Sequence, residues 1–110
     1  MTLTLGQALD QLLEQINTKS QADPSTSYTA KLIGQGTAHC AKKLGEEGVE
    51  LALALVSGSA TDVAHEAADL LYHFGVALAS RGISGPDVVG VIVARIGRSG
   101  LEEKASRTPS

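Results

Sequence analysis

Aromatic side chains are nearly missing from this chain: two tyrosines, one phenylalanine and no tryptophan among 110 residues. Its interior must therefore be filled by Ala, Leu and Val, as in close-packed helices. The single cysteine, Cys40, excludes a disulfide framework within one chain and any multi-cysteine zinc site. No apolar run reaches the length of a membrane span, and the amino terminus lacks the basic-then-apolar layout of a signal peptide. Cytoplasmic residence with no membrane partner is the expectation. The net charge of -3 argues against wholesale nucleic-acid binding, though not against a nucleotide ligand. The length suits one domain with a real core.

What the chain does have is helical periodicity. Leu5, Leu9, Leu12, Leu13 and Ile16 predict an amphipathic helix over about residues 4–20. Asp23 to Ser27 reads as a loop, with Ser27 placed to cap the next helix. Helical spacing then runs from Tyr28 to about Val56, broken or bent at Gly34 and Gly36. Ser57-Gly58-Ser59 supplies a turn, and Ser59 with Asp62 forms a capping box. The helix after it ends near Ser80, followed by Arg81-Gly82. Val88 to Val93 is β-branched enough for a strand, but the start signal Ser84-Gly85-Pro86-Asp87 and the spacing of Val88, Val91, Ile92 and Ile96 favour a helix. The expected fold is all-α: a bundle of about four helices around a central antiparallel hairpin. Residues 1–97 form the domain and 98–110 a flexible basic tail.

Within the hairpin lie two short acidic motifs, Glu47-Gly48-Val49-Glu50 and Glu66-Ala67-Ala68-Asp69. Each places two carboxylates one turn apart on one helix face. Glu50 and Glu66 are equally far from Gly58, as are Glu47 and Asp69. A turn at Gly58 therefore sets Glu50 beside Glu66 and Glu47 beside Asp69. Four converging acids repel unless a cation lies between them. Oxygen ligands in that number suit Mg²⁺ or Mn²⁺, and these ions suit phosphates. The plainer alternative is a solvated face on each helix. Against it stand the apolar flanks: Leu44, Leu51 and Leu55 on one side, Val49 and Leu53 on the other, with Leu70, Tyr72, Val76 and Ala77 around the second motif.

The stretches Lys43 to Glu50 and Glu66 to His73 resemble the phosphoribosyl-ATP pyrophosphohydrolase family, within the all-α nucleoside triphosphate pyrophosphohydrolases. The similarity extends to Ser27-Tyr28-Thr29-Ala30-Lys31-Leu32, to Arg81-Gly82-Ile83-Ser84 and to the tail from Ser99 to Arg107. It covers most of the chain from about Ser27 onward. One departure is Gly48-Val49, where the family usually has a small, alanine-rich pair. The resemblance implies Mg²⁺-dependent hydrolysis of phosphoribosyl-ATP to phosphoribosyl-AMP and pyrophosphate, the second step of histidine biosynthesis, by a homodimer. Many family members are fused to the cyclohydrolase of the next step; nothing in this sequence resembles that domain.

On this reading Glu47, Glu50, Glu66 and Asp69 are the metal ligands. Glu46 and Glu47 are the candidates for the catalytic step, Glu46 by orienting or deprotonating water. Lys43 shares the acidic stripe and Lys31 lies in the family-like Ser-Tyr-Thr-Ala-Lys segment, so both are phosphate-binding candidates. His73 extends the second stripe, to contact phosphate, pair with an acid or sit capped in the core. Arg95, Arg98, Lys104 and Arg107 make up four of the nine Lys and Arg residues. Arg98, Lys104 and Arg107 are read as a clamp that orders on substrate; a merely solvated tail is the alternative. Two rival functions remain open: a pyrophosphohydrolase of free nucleoside triphosphates, and a non-catalytic helical dimerisation module.

Overall fold

Six helices and no strand make up residues 2–98 and 100–107, which the computed structural model describes. The first, α1 (Leu5–Lys19), opens on a reciprocal pair: the Thr4 hydroxyl accepts from the Gln7 N–H and the Gln7 side chain accepts from the Thr4 N–H. Ser27 caps α2 (Tyr28–Gly34) as expected, accepting from the Ala30 N–H at 3.1 Å. The same hydroxyl donates to the Lys19 carbonyl at 3.1 Å. One side chain thus ties the end of α1 to the start of α2 across the loop.

The helical pattern from Tyr28 onward divides into two helices, α2 and α3 (Thr37–Ser57). Gly36 lies between them at φ +98°, a conformation glycine adopts without steric cost. α3 and α4 (Ala60–Ser80), 21 residues each, form the antiparallel hairpin. Its turn falls at Gly58, and the expected Ser59–Asp62 capping box is present. At the open end the Thr37 hydroxyl donates to the Ser80 carbonyl at 3.2 Å.

The β-branched segment is helical: α5 (Gly85–Arg95) has proline in its first turn and the Asp87 carboxylate accepting from the Ser84 N–H. Residues Gly100–Ser106 form a further short helix, α6, where the sequence shows no apolar period. Seven residues with Leu101 as the one large apolar side chain carry too little pattern to be legible.

Ile16, Leu32, Cys40 and Val76 make the buried centre, with Leu12, Tyr72 and Ala77 packed on it. Cys40 is inert there, its thiol donating to the Leu32 carbonyl at 3.3 Å. Helix α1 docks on α4 over Gly75: a β-carbon at that position would stand 2.6 Å from Ile16 Cδ1 and 2.9 Å from Leu13 Cδ2. Glycine thus lets the two helices approach without displacing the ends of these side chains.

The single chain leaves much apolar surface open. It exposes 7787 Å², against roughly 5,700 Å² for a compact monomer of its mass. Its radius of gyration is 16.0 Å, where about 13 Å is usual at this length. Of the flanks expected to surround the acidic stripe, Leu44 and Leu51 are half-buried, but Leu55, Val49 and Leu53 are 64%, 61% and 62% exposed, and Val56 beyond them is 86% exposed. These last three lie on one stripe of α3. Val89, Val91, Ile92 and Val93 of α5 are also more than half exposed. No single helix among the described residues is long and apolar enough to cross a membrane.

Candidate metal centre

The hairpin brings the two acidic motifs together. Carboxylate oxygens of Glu47 on α3 and of Glu66 and Asp69 on α4 all lie within 4.8 Å of one another. Glu50, the fourth expected ligand, stands outside that trio but near enough for its charge to raise the proton affinity of both Glu47 and Glu66. Carboxylates crowded in this way repel one another unless a proton or a cation lies among them.

The environment favours the cation. Glu66 Oε2 is buried without a hydrogen-bond partner, and an orphaned buried carboxylate oxygen is costly. Burial raises the proton affinity of Glu47, and the neighbouring Glu50 and Asp69 carboxylates push it further; the His73 imidazole partly opposes them. Glu66 is raised in the same way, first by burial and then by Glu50, Asp69 and Glu47. Three hard oxygens under mutual repulsion, on residues that include one with an unsatisfied carboxylate oxygen, fit Mg²⁺ or Mn²⁺.

Other expected site residues divide between this cluster and the surface. His73 is buried beneath the cluster, its Nε2 3.9 Å from Glu47 Oε1. That is too long for a hydrogen bond, but close enough for attraction if the ring is charged. Tyr72 meets the imidazole edge-on, ring centroids 5.1 Å apart and planes at 83°. The Tyr72 hydroxyl in turn bonds Thr29 Oγ1 at 2.7 Å. Neither Thr29 nor Tyr72 stood out in the sequence as a site residue.

Glu46 lies outside the trio, half exposed on the next face of α3, where its carboxylate meets Lys43 at 3.5 Å and Lys42 at 3.9 Å. Successive helix residues point about 100° apart, so Glu46 and Glu47 cannot both face α4. Lys43 is half-buried beside the cluster. Lys31, Arg98, Lys104 and Arg107 are exposed, the last three in or around α6, away from the hairpin core.

A pH response follows from the raised carboxyls. Both Glu47 and Glu66 hold protons more tightly in the folded chain than in the unfolded one. Their contribution to stability is complete below the ordinary glutamate range and is lost as pH rises through the raised folded values. Asp23 and Asp62, both lowered by hydrogen bonds from Ser25 and Ser59, act only below the ordinary aspartate range. Lowering the pH from 7 to about 5 should thus raise the thermal midpoint of the chelator-treated protein. Calorimetry in that window checks the sign, and a falling midpoint would contradict it.

Comparison with known proteins places this hairpin in context. The family model described as phosphoribosyl-ATP pyrophosphohydrolase matches residues 9–95. A phosphoribosyl-ATP pyrophosphatase of Parvibaculum lavamentivorans is 50% identical over 99 residues, covering 90% of this chain and 91% of its own length. Proteins of the same name from Paracoccus denitrificans and Methylobacterium radiotolerans are 48% and 46% identical, covering 90% and 86% of this chain and 92% and 89% of their own lengths.

Proposed function

This chain belongs to the phosphoribosyl-ATP pyrophosphohydrolase family, and from that membership we propose that it hydrolyses phosphoribosyl-ATP to phosphoribosyl-AMP and pyrophosphate with Mg²⁺, the second step of histidine biosynthesis, in the cytoplasm. The observation that carries the metal dependence is the convergence of Glu47, Glu66 and Asp69 oxygens, with Glu66 Oε2 buried and unpartnered. These three residues, with Glu50 adjoining, would hold the ion. When bound, Mg²⁺ supplies neutralisation of the phosphate oxygens and a more acidic water, the two things anhydride hydrolysis needs.

The chain's own groups supply position. Glu47, Glu66 and Asp69 hold their ligand atoms on two helices joined by the Gly58 turn and tied at the open end by the Thr37–Ser80 bond. His73 flanks Glu47 from the buried side and limits its movement. Glu46 holds Lys42 and Lys43 in place, a role its ion pairs support better than activation of water. Lys43, half-buried beside the acids, is assigned to a substrate phosphate. The direct test measures pyrophosphate release from phosphoribosyl-ATP, ATP and dNTPs, each with Mg²⁺ and with chelator. Release from phosphoribosyl-ATP alone, and only with metal, supports the reading. Equal release from ATP or dNTPs would move the chain to the free-nucleotide enzymes, and none at all would leave a dimerisation module.

Homodimerisation belongs to the same proposal. The surplus surface and the Val49–Leu53–Val56 stripe exceed the ~800 Å² per partner that a standard interface covers. A C2 pair burying α3 against its copy would account for both. Light scattering at micromolar concentration should give twice the chain mass; a stable monomer would contradict it.

The tail forms a separate part. Arg98, Lys104 and Arg107 lie beyond residue 95, where the family match ends, and are assigned as a phosphate clamp together with Lys31. Removing residues from Arg98 onward should raise KM for phosphoribosyl-ATP several-fold and leave Mg²⁺ affinity and thermal midpoint unchanged. Unchanged KM would make the tail a solvated end, and loss of fold would make it structural.

A further inference from the structure

Outside the acidic cluster, one chain of contacts runs from α2 through α4 to α3. It begins at Thr29, which is buried and comes from a helix that carries none of the acids. Its hydroxyl reaches 43 residues along the chain to the Tyr72 hydroxyl at 2.7 Å. The Tyr72 ring abuts the His73 imidazole edge-to-face, an arrangement aromatic pairs prefer. The imidazole then faces Glu47. Four side chains from three helices are thus in series, and only the last is a metal-ligand candidate.

We propose that Thr29 is a positioning residue: through Tyr72 it fixes the imidazole plane of His73 against Glu47, and so sets the orientation of that carboxylate. This rests on the proposed reaction for its kinetic consequence, but not for its geometry. The torsion that orients an imidazole is broad and roughly two-fold, so packing must choose the ring plane. No hydrogen bond joins His73 to Glu47 at 3.9 Å, which leaves the ring's neighbours to hold it. Tyr72 is the neighbour in contact, and its own outer end is fixed by Thr29. The bond itself contributes only about 1 kcal/mol to stability. Placement matters more, since an error near 1 Å in a reacting constellation costs up to about a hundredfold in rate.

Three single variants, the Thr29→Val/Tyr72→Phe double variant and two measurements decide it. Thr29→Val keeps the shape and removes the hydroxyl, Tyr72→Phe removes the other end of the bond, and Thr29→Ser restores a hydroxyl. The first measurement is the imidazole ¹⁵N spectrum of metal-free protein labelled at histidine, at one fixed pH. Thr29→Val and Tyr72→Phe should each shift the His73 signals and leave those of His39 and His65 in place, with Thr29→Ser close to wild type. The second is steady-state hydrolysis of phosphoribosyl-ATP. Thr29→Val should lower kcat about tenfold with KM within about twofold of wild type, Thr29→Ser should recover most of it, and the double variant should be no worse than the worse single.

Unmoved His73 signals overturn the proposal, as do additive losses in the double variant. A rise in KM at constant kcat also overturns it, because Tyr72 also lines a cavity of about 310 Å³ with Lys19, Thr26 and Tyr28, and the hydroxyl would then be touching substrate instead. If Thr29→Val does not fold, Tyr72→Phe carries the same test. If the wild-type protein hydrolyses no phosphoribosyl-ATP, the assigned reaction fails while the spectra still decide the positioning role.

Discussion

Asp69→Asn and Glu66→Gln should each lower kcat for phosphoribosyl-ATP by about a thousandfold or more while the helical content stays intact. The size reflects the work of the carboxylates: metal-based charge stabilisation contributes several kcal/mol, and each 1.36 kcal/mol is tenfold in rate. The direction of the stability change is the more discriminating result. In chelator at neutral pH both variants should melt higher than wild type, because each removes one charge from a cluster in which Glu47, Glu50, Glu66 and Asp69 repel one another. Added Mg²⁺ should raise the wild-type midpoint, as any ligand of the folded state does, and raise that of the variants less. Glu50→Gln, adjoining the trio, should behave the same way. Near-normal activity in these variants, or an undiminished Mg²⁺ response, would return the acids to a solvated face.

Ile16→Ala is expected to have the largest effect on stability. Ile16 is 2% exposed and rests on Gly75, at the contact of α1 with α4. Truncating a buried isoleucine costs about 2–5 kcal/mol, and small domains hold only about 5–15 kcal/mol in all. The midpoint should fall by about 10 °C or more. Gly75→Ala attacks the same contact from the other side by overfilling it, at about 1–3 kcal/mol. Combining Gly75→Ala with Ile16→Val should recover part of that loss, since the shorter side chain withdraws the Cδ1 atom that a β-carbon would strike. Additive destabilisation, measured by chemical denaturation, would mean that the contact is looser than the geometry indicates.

The hairpin and its acidic face were legible because both rest on local rules. Helical period placed Glu47 with Glu50 and Glu66 with Asp69, and Ser57-Gly58-Ser59 marked the turn that pairs them. Local rules did not settle the part of Glu46: its carboxylate turns to Lys42 and Lys43, side-chain pairings that a count of acids on one helix does not show. Nor could they separate α2 from α3, since a glycine inside a periodic pattern reads equally as a bend. The Thr29–Tyr72 bond spans 43 residues and leaves no periodic trace. The exposure of Val49, Leu53 and Val56 was illegible for the opposite reason. Pattern marks a residue as apolar without saying whether its own chain or another covers it.

The equal spacing of the acids about Gly58 makes the hairpin a measuring device. At 1.5 Å per residue the carboxylate pairs sit roughly 12 Å and 16 Å below the tip. Their height is set by counting down two arms that must agree. Inserting one residue into either arm between tip and acids lowers that arm's carboxylates by about 1.5 Å and swings them about 100° off the shared face. Only matched changes of about seven residues in both arms, two full turns each, would return all four to register. Among descendants of this chain that keep the site, length variation should therefore fall outside the stretch between the acids. The interval from Glu50 to Glu66 should stay constant while the rest of the sequence drifts.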